Sequence, residues 1–360
     1  VDLKQSILKT PNAHWVFVFY LVLMNDSITN ATGQVDKLSP LEFYFYVING
    51  TLGTIFNAVV LFIALRHADT YDKPRQIIVI NMTLADLMTC LIYMITRPYI
   101  SLMPEQLCYS YYVVIFTSQM CSCLNLLWLN FDKLIYIKFP LHYYTIVSRV
   151  RVLILTVISW IVIISLACTI YFFMTIRQPC SLVALPPFLY SVICLMYITI
   201  ILSSFAISAV IYCIARNSRR TEPIAGSKMF QRLFFVFSST IWTCITCLPY
   251  RLLYLVYLVL PSMPDNQMYN LLLSSITTFF PVVVVGIVIN PWITILTQRM
   301  YRECLLLYVR KIGSIFGLCG LNLCSYQDTK TRRQSRPSIA TQRSSTAFSE
   351  ARRLNGAADV

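Results

Sequence analysis

The chain has 360 residues, of which 57% are hydrophobic and 12% are charged, and its formal net charge is +14. Soluble proteins carry about 25% charged residues, so this composition excludes a soluble globular protein and indicates a membrane protein. The basic residues form short clusters between apolar runs and in the tail, which argues against nucleic acid as a partner. The thirteen cysteines lie mostly inside apolar runs, and no CxxC pair lies in a polar loop with histidines, so neither a disulfide scaffold nor a zinc site is expected.

The N-terminal region contains an apolar stretch, residues 14–24, that is too short to span a bilayer. We interpret Met24 as the first residue of the protein and residues 1–23 as upstream translated or added sequence. The alternative is that this stretch is the core of a signal peptide. Asn25 and Asn30 each begin an Asn-x-Ser/Thr sequon, which predicts glycosylation.

Seven apolar segments are long enough to cross a bilayer as helices, which predicts an all-α membrane protein with a seven-transmembrane helix bundle. They are residues 43–66, 76–97, 107–131, 152–174, 187–215, 230–260 and 268–297. No repeat relates the two halves of the chain, which argues against a transporter built from inverted repeats.

The orientation of the bundle follows from the basic residues, which concentrate in the loops after spans one, three and five. We therefore expect those loops and the C-terminus inside the cell and the N-terminus outside. The predicted parts are an extracellular segment 1–42, the transmembrane domain 43–297, an amphipathic surface helix 298–312 and a disordered cytoplasmic tail 313–360.

Asp132 and Lys133 end the third apolar run at the predicted cytoplasmic face. Headgroups and water can solvate both charges there, at much lower cost than in the bilayer centre. The pair is either an ordinary interfacial charge pair or a conformational switch.

Short motifs occur once each, in a fixed order, along the seven spans. They are Asn57 in "GTIFNAVVLF", Asp86 in "NMTLADLMTC", Cys108 placed 24 residues before Asp132, Trp160, Tyr212, Pro249 in "TCITCLPY", and Asn290 and Pro291 in "NPWIT". In this order and spacing, residues 41–312 resemble a rhodopsin-like (class A) G-protein-coupled receptor. The resemblance implies that Asp132, Lys133, Tyr212, Pro249 and Pro291 take part in switching toward a G protein.

The chain departs from the family pattern at several switch positions. Lys133 replaces the family's arginine and loses its planar fork, Cys247 replaces a tryptophan, Thr294 replaces a tyrosine, and Ser204 stands where a proline is expected. No acidic residue stands at the inner end of span six. The resemblance therefore implies a divergent subfamily or unusual basal activity.

Asp86 is the single carboxylate deep in the apolar runs, and an intramembrane acid is a functional residue by default. The resemblance implies that Asn57, Ser122 and Asn290 converge on it. The pocket is expected either to bind Na⁺ as an allosteric ion or to hold a hydrogen-bonded acid without an ion; no other cofactor is expected.

The resemblance also implies a disulfide between Cys108 and Cys180, which would fix the second outer loop to span three in the oxidising exterior. The alternative is two free thiols.

The ligand clues point away from amines. Where amine receptors carry an aspartate, this chain has Ile115 followed by Phe116. Arg251 and Arg97 could instead face the cavity and pair with an acidic ligand group such as a peptide terminus, a lipid carboxylate or a phosphate. The alternative is that the arginines snorkel to headgroups. Further residues that could line the cavity are Tyr250, Tyr254, Tyr111, Tyr112 and Phe280.

Two other classes of protein are excluded by missing groups. Span seven contains no lysine for retinal, so the chain is not an opsin. No nucleophile–base grouping and no paired carboxylates occur, so an enzyme is not expected.

The C-terminal tail carries several expected modification sites. Cys319 and Cys324 follow the surface helix and either carry palmitate or remain unmodified. Ser335 and Ser338 follow basic residues, which favours phosphorylation by a kinase and recruitment of an arrestin; the alternative is a basic tail resting on anionic membrane lipid.

The leading hypothesis is a multi-pass receptor of the plasma membrane that transduces an extracellular ligand to a heterotrimeric G protein. The alternative is a receptor-like decoy or arrestin-biased scaffold with little G-protein activation.

Overall fold

The structure is a computed structural model that describes residues 39–68, 70, 73–175, 187–221, 223–259 and 267–315. Within these ranges seven helices are long and apolar enough to cross a membrane, and no strand occurs. The seven spans lie in α1 Pro40–His67, α2 Arg75–Met88 with the segment Thr89–Met94 that continues it, α3 Glu105–Lys138, α4 Arg149–Thr175, α5 Pro187–Thr221, α6 Pro223–Val259 and α7 Gln267–Thr297. The predicted all-α bundle of seven spans is confirmed.

The first helix begins with a capping box. The Ser39 hydroxyl accepts from the Glu42 backbone N–H at 3.3 Å, and a Glu42 carboxylate oxygen accepts from the Ser39 backbone N–H at 3.1 Å. These bonds satisfy backbone donors that the first helical turn leaves unpaired. Pro40, at the first helical position, has no backbone N–H and therefore leaves no donor unpaired. The predicted first span therefore starts three residues earlier than hydropathy alone indicated.

The second span changes its helical type twice on the way to the outer end, meaning the end that the loop charges assign to the cell exterior. α2 continues as a π-helical segment, Thr89–Met94, and then as a 3-10 segment, Arg97–Leu102, that contains Pro98. Both changes alter the register of side chains around the helix, and π-helical segments often occur at functional sites. Tyr93 and Arg97 lie in this altered stretch.

α3 is the central helix of the bundle, since it packs against the second span, α4, α5 and α6. Large apolar side chains on the opposite, outward surfaces remain exposed, as with Ile158 and Ile161 of α4 at 51% and 58%. Such surfaces suit hydrocarbon rather than water. We therefore expect the functional residues to be among the polar residues inside the bundle.

A one-turn helix, Tyr143–Ile146, follows α3, and a last helix, α8, spans Arg299–Ile315. Among the described residues, those up to Leu305 belong to one compact unit, and Leu306–Ile315 belong to a second. Within the first unit, the buried Tyr301 hydroxyl donates to Gln76 Oε1 at 3.2 Å. α8 coincides with the predicted helix 298–312, and its position on a membrane surface stays a prediction.

Candidate functional site

A cavity of about 360 Å³ opens between the helices toward the outer end of the bundle. This volume is within the range of ligand pockets, which are about 300–1,000 Å³. Its polar and aromatic lining comes from all seven spans, and includes Tyr46, Tyr93, Arg97, Tyr112, Phe116, Gln119, Tyr171, Tyr190, Tyr197, Tyr250, Arg251, Tyr254 and Phe280.

Arg251 is held at the inner wall of this cavity. One guanidinium nitrogen donates to Gln119 Oε1 at 3.2 Å, and the guanidinium carbon lies 4.2 Å from the centre of the Tyr197 ring. The residue is 9% exposed. The ion pairs found among the described residues do not include Arg251. Cation–π contact and neutral hydrogen-bond partners, Gln119 and Cys194, stabilise the buried charge only in part.

Arg97 lines the same cavity from the second span. Its guanidinium carbon lies 5.0, 5.4 and 5.6 Å from the rings of Tyr46, Tyr93 and Phe280. Nε is buried and has no hydrogen-bond partner within the described part of the chain. The Arg97 side chain was expected either to face the cavity or to snorkel to lipid headgroups, and in the structure it faces the cavity.

The remaining residues predicted for the ligand site are distributed around these arginines. Ile115, Phe116, Tyr250, Tyr254 and Phe280 all line the cavity, as does Tyr112. Tyr111 is buried beside it, against Tyr93 and Tyr112.

Several residues of the cavity wall were not predicted from the sequence, among them Tyr46, Tyr93, Tyr171, Tyr197, Gln119 and Tyr190. Gln119 is the acceptor for Arg251, and the Tyr190 ring lies 4.6 Å from that of Tyr254. The available signal for Gln119 was an amide side chain inside a predicted membrane span, directly after Thr117 and Ser118. Tyr190, near the start of an apolar span, had no distinguishing signal.

Asp86 lies deeper, 4% exposed, and is held by two neutral donors. The Ser122 hydroxyl donates to Oδ1 at 2.5 Å and Asn290 Nδ2 donates to Oδ2 at 2.9 Å. The predicted convergence of Asn57 on Asp86 is wrong as a hydrogen bond, because Asn57 Nδ2 donates to the Gly53 carbonyl at 2.9 Å and toward Cys90 Sγ at 3.8 Å.

The reason that Asn57 turns away is the close contact between α1 and the π-helical segment. A Cβ atom on Gly53 would lie 2.5 Å from Cys90 Sγ, so only glycine permits this approach. Asn57 then finds its acceptors at that contact.

A small cavity of about 50 Å³ adjoins Asp86. Its oxygen-bearing wall includes Asp86, Thr89, Ser122 and Thr246, and this volume can hold a water-sized particle. Each carboxylate oxygen has a further lone pair beyond its present bond, so the residues fit one small hard cation such as Na⁺. Arg251 also borders this cavity and would weaken such binding.

The inner end contains a buried ion pair. Lys133 Nζ lies 2.8 Å from Asp132 Oδ2, the Tyr143 hydroxyl donates to Oδ1 at 2.6 Å, and Asp132 and Lys133 are each 4% exposed. The expectation that headgroups and water solvate both charges is therefore wrong. α3 continues to Lys138, and the one-turn helix after it brings Tyr143 against the carboxylate.

Burial and the Asp132 carboxylate raise the pKa of the Tyr143 phenol, which keeps Tyr143 a hydrogen-bond donor at neutral pH. Tyr143 was missed in the sequence because it follows a proline in a loop and belongs to no motif.

One polar contact that no motif predicted joins three helices near this pair. Asn130 Nδ2 donates to Ser204 Oγ at 2.7 Å and to Thr240 Oγ1 at 3.0 Å, which connects α3, α5 and α6. All three residues are at most 1% exposed. We call these three residues the inner node. Ser204 provides a hydroxyl at the position where the family pattern has proline.

The other predicted switch residues lie in α5, α6 and α7. The Tyr212 ring lies against Phe237, with ring centres 5.9 Å apart, and Tyr212 is 44% exposed. Pro249 and Pro291 lie inside α6 and α7. Trp242, five residues before Cys247, donates to the Gly286 carbonyl at 3.0 Å and thereby links α6 to α7.

Several predicted sites lie outside the described residues, namely Asn25, Asn30, Cys180, Cys319, Cys324, Ser335 and Ser338. Cys108 lies in α3, but its side chain is not among those described. Glycosylation, the disulfide, palmitoylation and phosphorylation therefore stay predictions.

Comparison with known proteins identifies the family to which the chain belongs. No family model matches the chain. The G-protein coupled receptor aex-2 of Caenorhabditis elegans is 51% identical over 279 residues, which cover 77% of this chain and 86% of that receptor. Identity at this level over most of both chains, together with seven membrane-spanning helices, establishes that the chain belongs to the G-protein-coupled receptors.

Proposed function

We propose that this receptor lies in the plasma membrane and couples an extracellular ligand with an anionic group to heterotrimeric G proteins. The observation that carries the ligand class is Arg251, which is buried in the outer cavity with a neutral amide as its hydrogen-bond acceptor. A buried guanidinium is best stabilised by a carboxylate or phosphate that accepts two hydrogen bonds. An anionic ligand would supply that partner.

The coupling step follows from the position of three residues on α6. Arg251 faces the outer cavity, Pro249 interrupts the helical hydrogen bonds next to it, and Thr240 belongs to the inner node. A ligand that draws Arg251 away from Gln119 would favour an arrangement of α6 in which Thr240 leaves Asn130. Such a ligand shifts the population toward the G-protein-binding state to the extent that it binds that state more tightly.

The test is a reporter screen with peptides and acidic lipids, followed by the same assay on Arg251→Gln. We expect the response to a ligand found in the screen to weaken about 30-fold or more in this variant, because truncating one side of a buried charged pair costs 2 kcal/mol or more. Arg66→Gln, which removes an exposed charge, is the matched control. An unchanged response at equal surface expression would overturn the anionic-ligand proposal.

A second function has a specific observation in its favour. Lys133 is paired with its own neighbour and buried, and it lacks arginine's fork for contacts with a G protein. The chain would then act as a decoy, or as a scaffold for arrestin after a receptor kinase modifies Ser335 and Ser338. Arrestin recruitment without nucleotide exchange on any G protein would favour this function, and ligand-driven exchange would exclude it.

A further inference from the structure

The outer cavity contains a second cation, Arg97, whose surroundings differ from those of Arg251. Three aromatic rings surround its guanidinium, and Nε has no hydrogen-bond partner in the part of the chain that the structure describes. The ring faces stabilise the charge, and the Tyr46 hydroxyl is a neutral hydrogen-bond partner of the guanidinium, but Nε has no partner among the described residues. Its hydrogen-bonding capacity is therefore not used up.

The two arginines line the cavity from different helices. Arg97 is on the second span and contacts rings of α1 and α7, whereas Arg251 is on α6 and contacts α3 and α5. Phe280 and Tyr250 lie between them, with ring centres 5.4 Å apart, and Arg97 contacts the first ring while Arg251 contacts the second. The separation is thus spanned by an apolar, aromatic surface.

The described charged groups that line the cavity are two arginines and one carboxylate, Glu42, and their formal sum is +1. Glu42 Oε2 accepts from the Ser39 backbone N–H at the start of α1, and the ion pairs found among the described residues include neither arginine. A ligand with one anionic group would neutralise one arginine and leave the other in a low-dielectric site.

We infer that the cavity recognises a ligand with two anionic groups joined by an apolar spacer, one group held by Arg251 and the other by Arg97. The spacer lies along Phe280 and Tyr250, and tyrosine hydroxyls of the wall can donate to the anionic oxygens. This inference rests on the proposed function, since the first anion is the one assigned to Arg251. A small diacid and a peptide with an acidic C-terminal residue share this chemistry.

The experiment uses the full chain in lipid nanodiscs and follows binding by the shift of its thermal unfolding midpoint at constant ionic strength. The probes are succinate, adipate and suberate, each compared with its own monoamide, which has the same length and one charge fewer. A peptide arm compares N-acetyl-Phe-Glu with its C-terminal amide. The variants are Arg97→Gln, Arg97→Lys and Arg251→Gln, with Arg66→Gln as the control for loss of a positive charge.

We expect one diacid, or the free-acid peptide, to bind about tenfold or more tightly than its amide, the factor that one hydrogen-bonded charge contributes. Arg97→Gln should abolish this preference while keeping monoamide binding, Arg97→Lys should keep part of it, and Arg66→Gln should keep all of it. The arm that shows the preference identifies the source of the two anions.

Equal binding of each acid and its amide by the wild type would overturn the two-anion inference. So would a preference that survives in Arg97→Gln. The Arg251 proposal is tested separately, because it requires monoamide binding that Arg251→Gln removes. Binding of none of the probes by the wild type would count against both.

Discussion

The outer and inner halves of the bundle treat buried charge in opposite ways. In the outer half, Arg97 and Arg251 lie against aromatic rings and a neutral amide around an open cavity. In the inner half, Lys133 is neutralised by Asp132, whose second oxygen accepts from Tyr143. An added anion would therefore stabilise the outer half. The charges of the inner half are already paired and hydrogen-bonded, so a rearrangement there would remove stabilising contacts.

The largest effect is expected on breaking the inner ion pair. Lys133→Met leaves Asp132 buried without its cation, and removal of one partner of a buried pair costs about 3–5 kcal/mol. The thermal unfolding midpoint of the receptor in nanodiscs should fall strongly, while Arg149→Met, at an exposed position, should change it little. A midpoint equal to that of the wild type would mean that Asp132 and Lys133 do not stabilise each other.

A smaller effect should follow from loss of the third member of this cluster. Tyr143→Phe removes the donor to Asp132 Oδ1 but keeps the ring, and a hydrogen bond to a charged group contributes about 1.5–3 kcal/mol. The unfolding midpoint should fall by less than in Lys133→Met. Tyr144→Phe, at the exposed neighbouring position, is the matched control; equal shifts in the two tyrosine variants would contradict the Tyr143–Asp132 bond.

The inner node offers a test of what holds α6 in place. Ser204→Ala removes one acceptor of Asn130, a loss of about 1 kcal/mol, and should raise agonist-independent nucleotide exchange about fivefold. Ser203→Ala, the adjacent serine outside the node, controls for loss of a hydroxyl from α5. If both variants keep wild-type basal exchange, the node does not restrain activation.

The smallest effect concerns the pocket around Asp86. Replacing choline by sodium at constant ionic strength should raise the thermal unfolding midpoint, by a shift that corresponds to less than about 1 kcal/mol of unfolding free energy. The effect is small because the positive charge of Arg251 borders the same small cavity and weakens the binding of a cation. Asp86→Asn should abolish the difference between the two salts. The same sodium response in Asp86→Asn would show that any ion binds elsewhere.

The spans were predictable from sequence because twenty apolar residues in a row have one low-energy solution, a membrane helix. The contacts of Asp86 with Ser122 and Asn290 were expected from the family resemblance, and a buried carboxylate requires such donors. The prediction of the spans depends on the cost of burying polar groups, which composition reveals.

The details that escaped prediction depend on packing between distant segments. Asn57 turned away because Gly53 lets Cys90 approach closely, and Asp132 became buried because the loop after α3 folds Tyr143 onto it. The inner node brings together residues 74 and 110 positions apart in the chain. Hydropathy contains no information about such pairings.

The most direct test of the contrast between the two halves compares Arg251→Gln with Lys133→Met in the ligand-free receptor. Arg251→Gln keeps an amide donor toward Gln119 but removes a buried charge that has no ion pair among the described residues. The thermal unfolding midpoint should therefore rise, by a shift that corresponds to about 1 kcal/mol of unfolding free energy. Lys133→Met should lower it. Shifts of opposite sign would support the claim that Arg251 has no counter-charge in the ligand-free receptor. A comparable fall of the midpoint in both variants would contradict that claim.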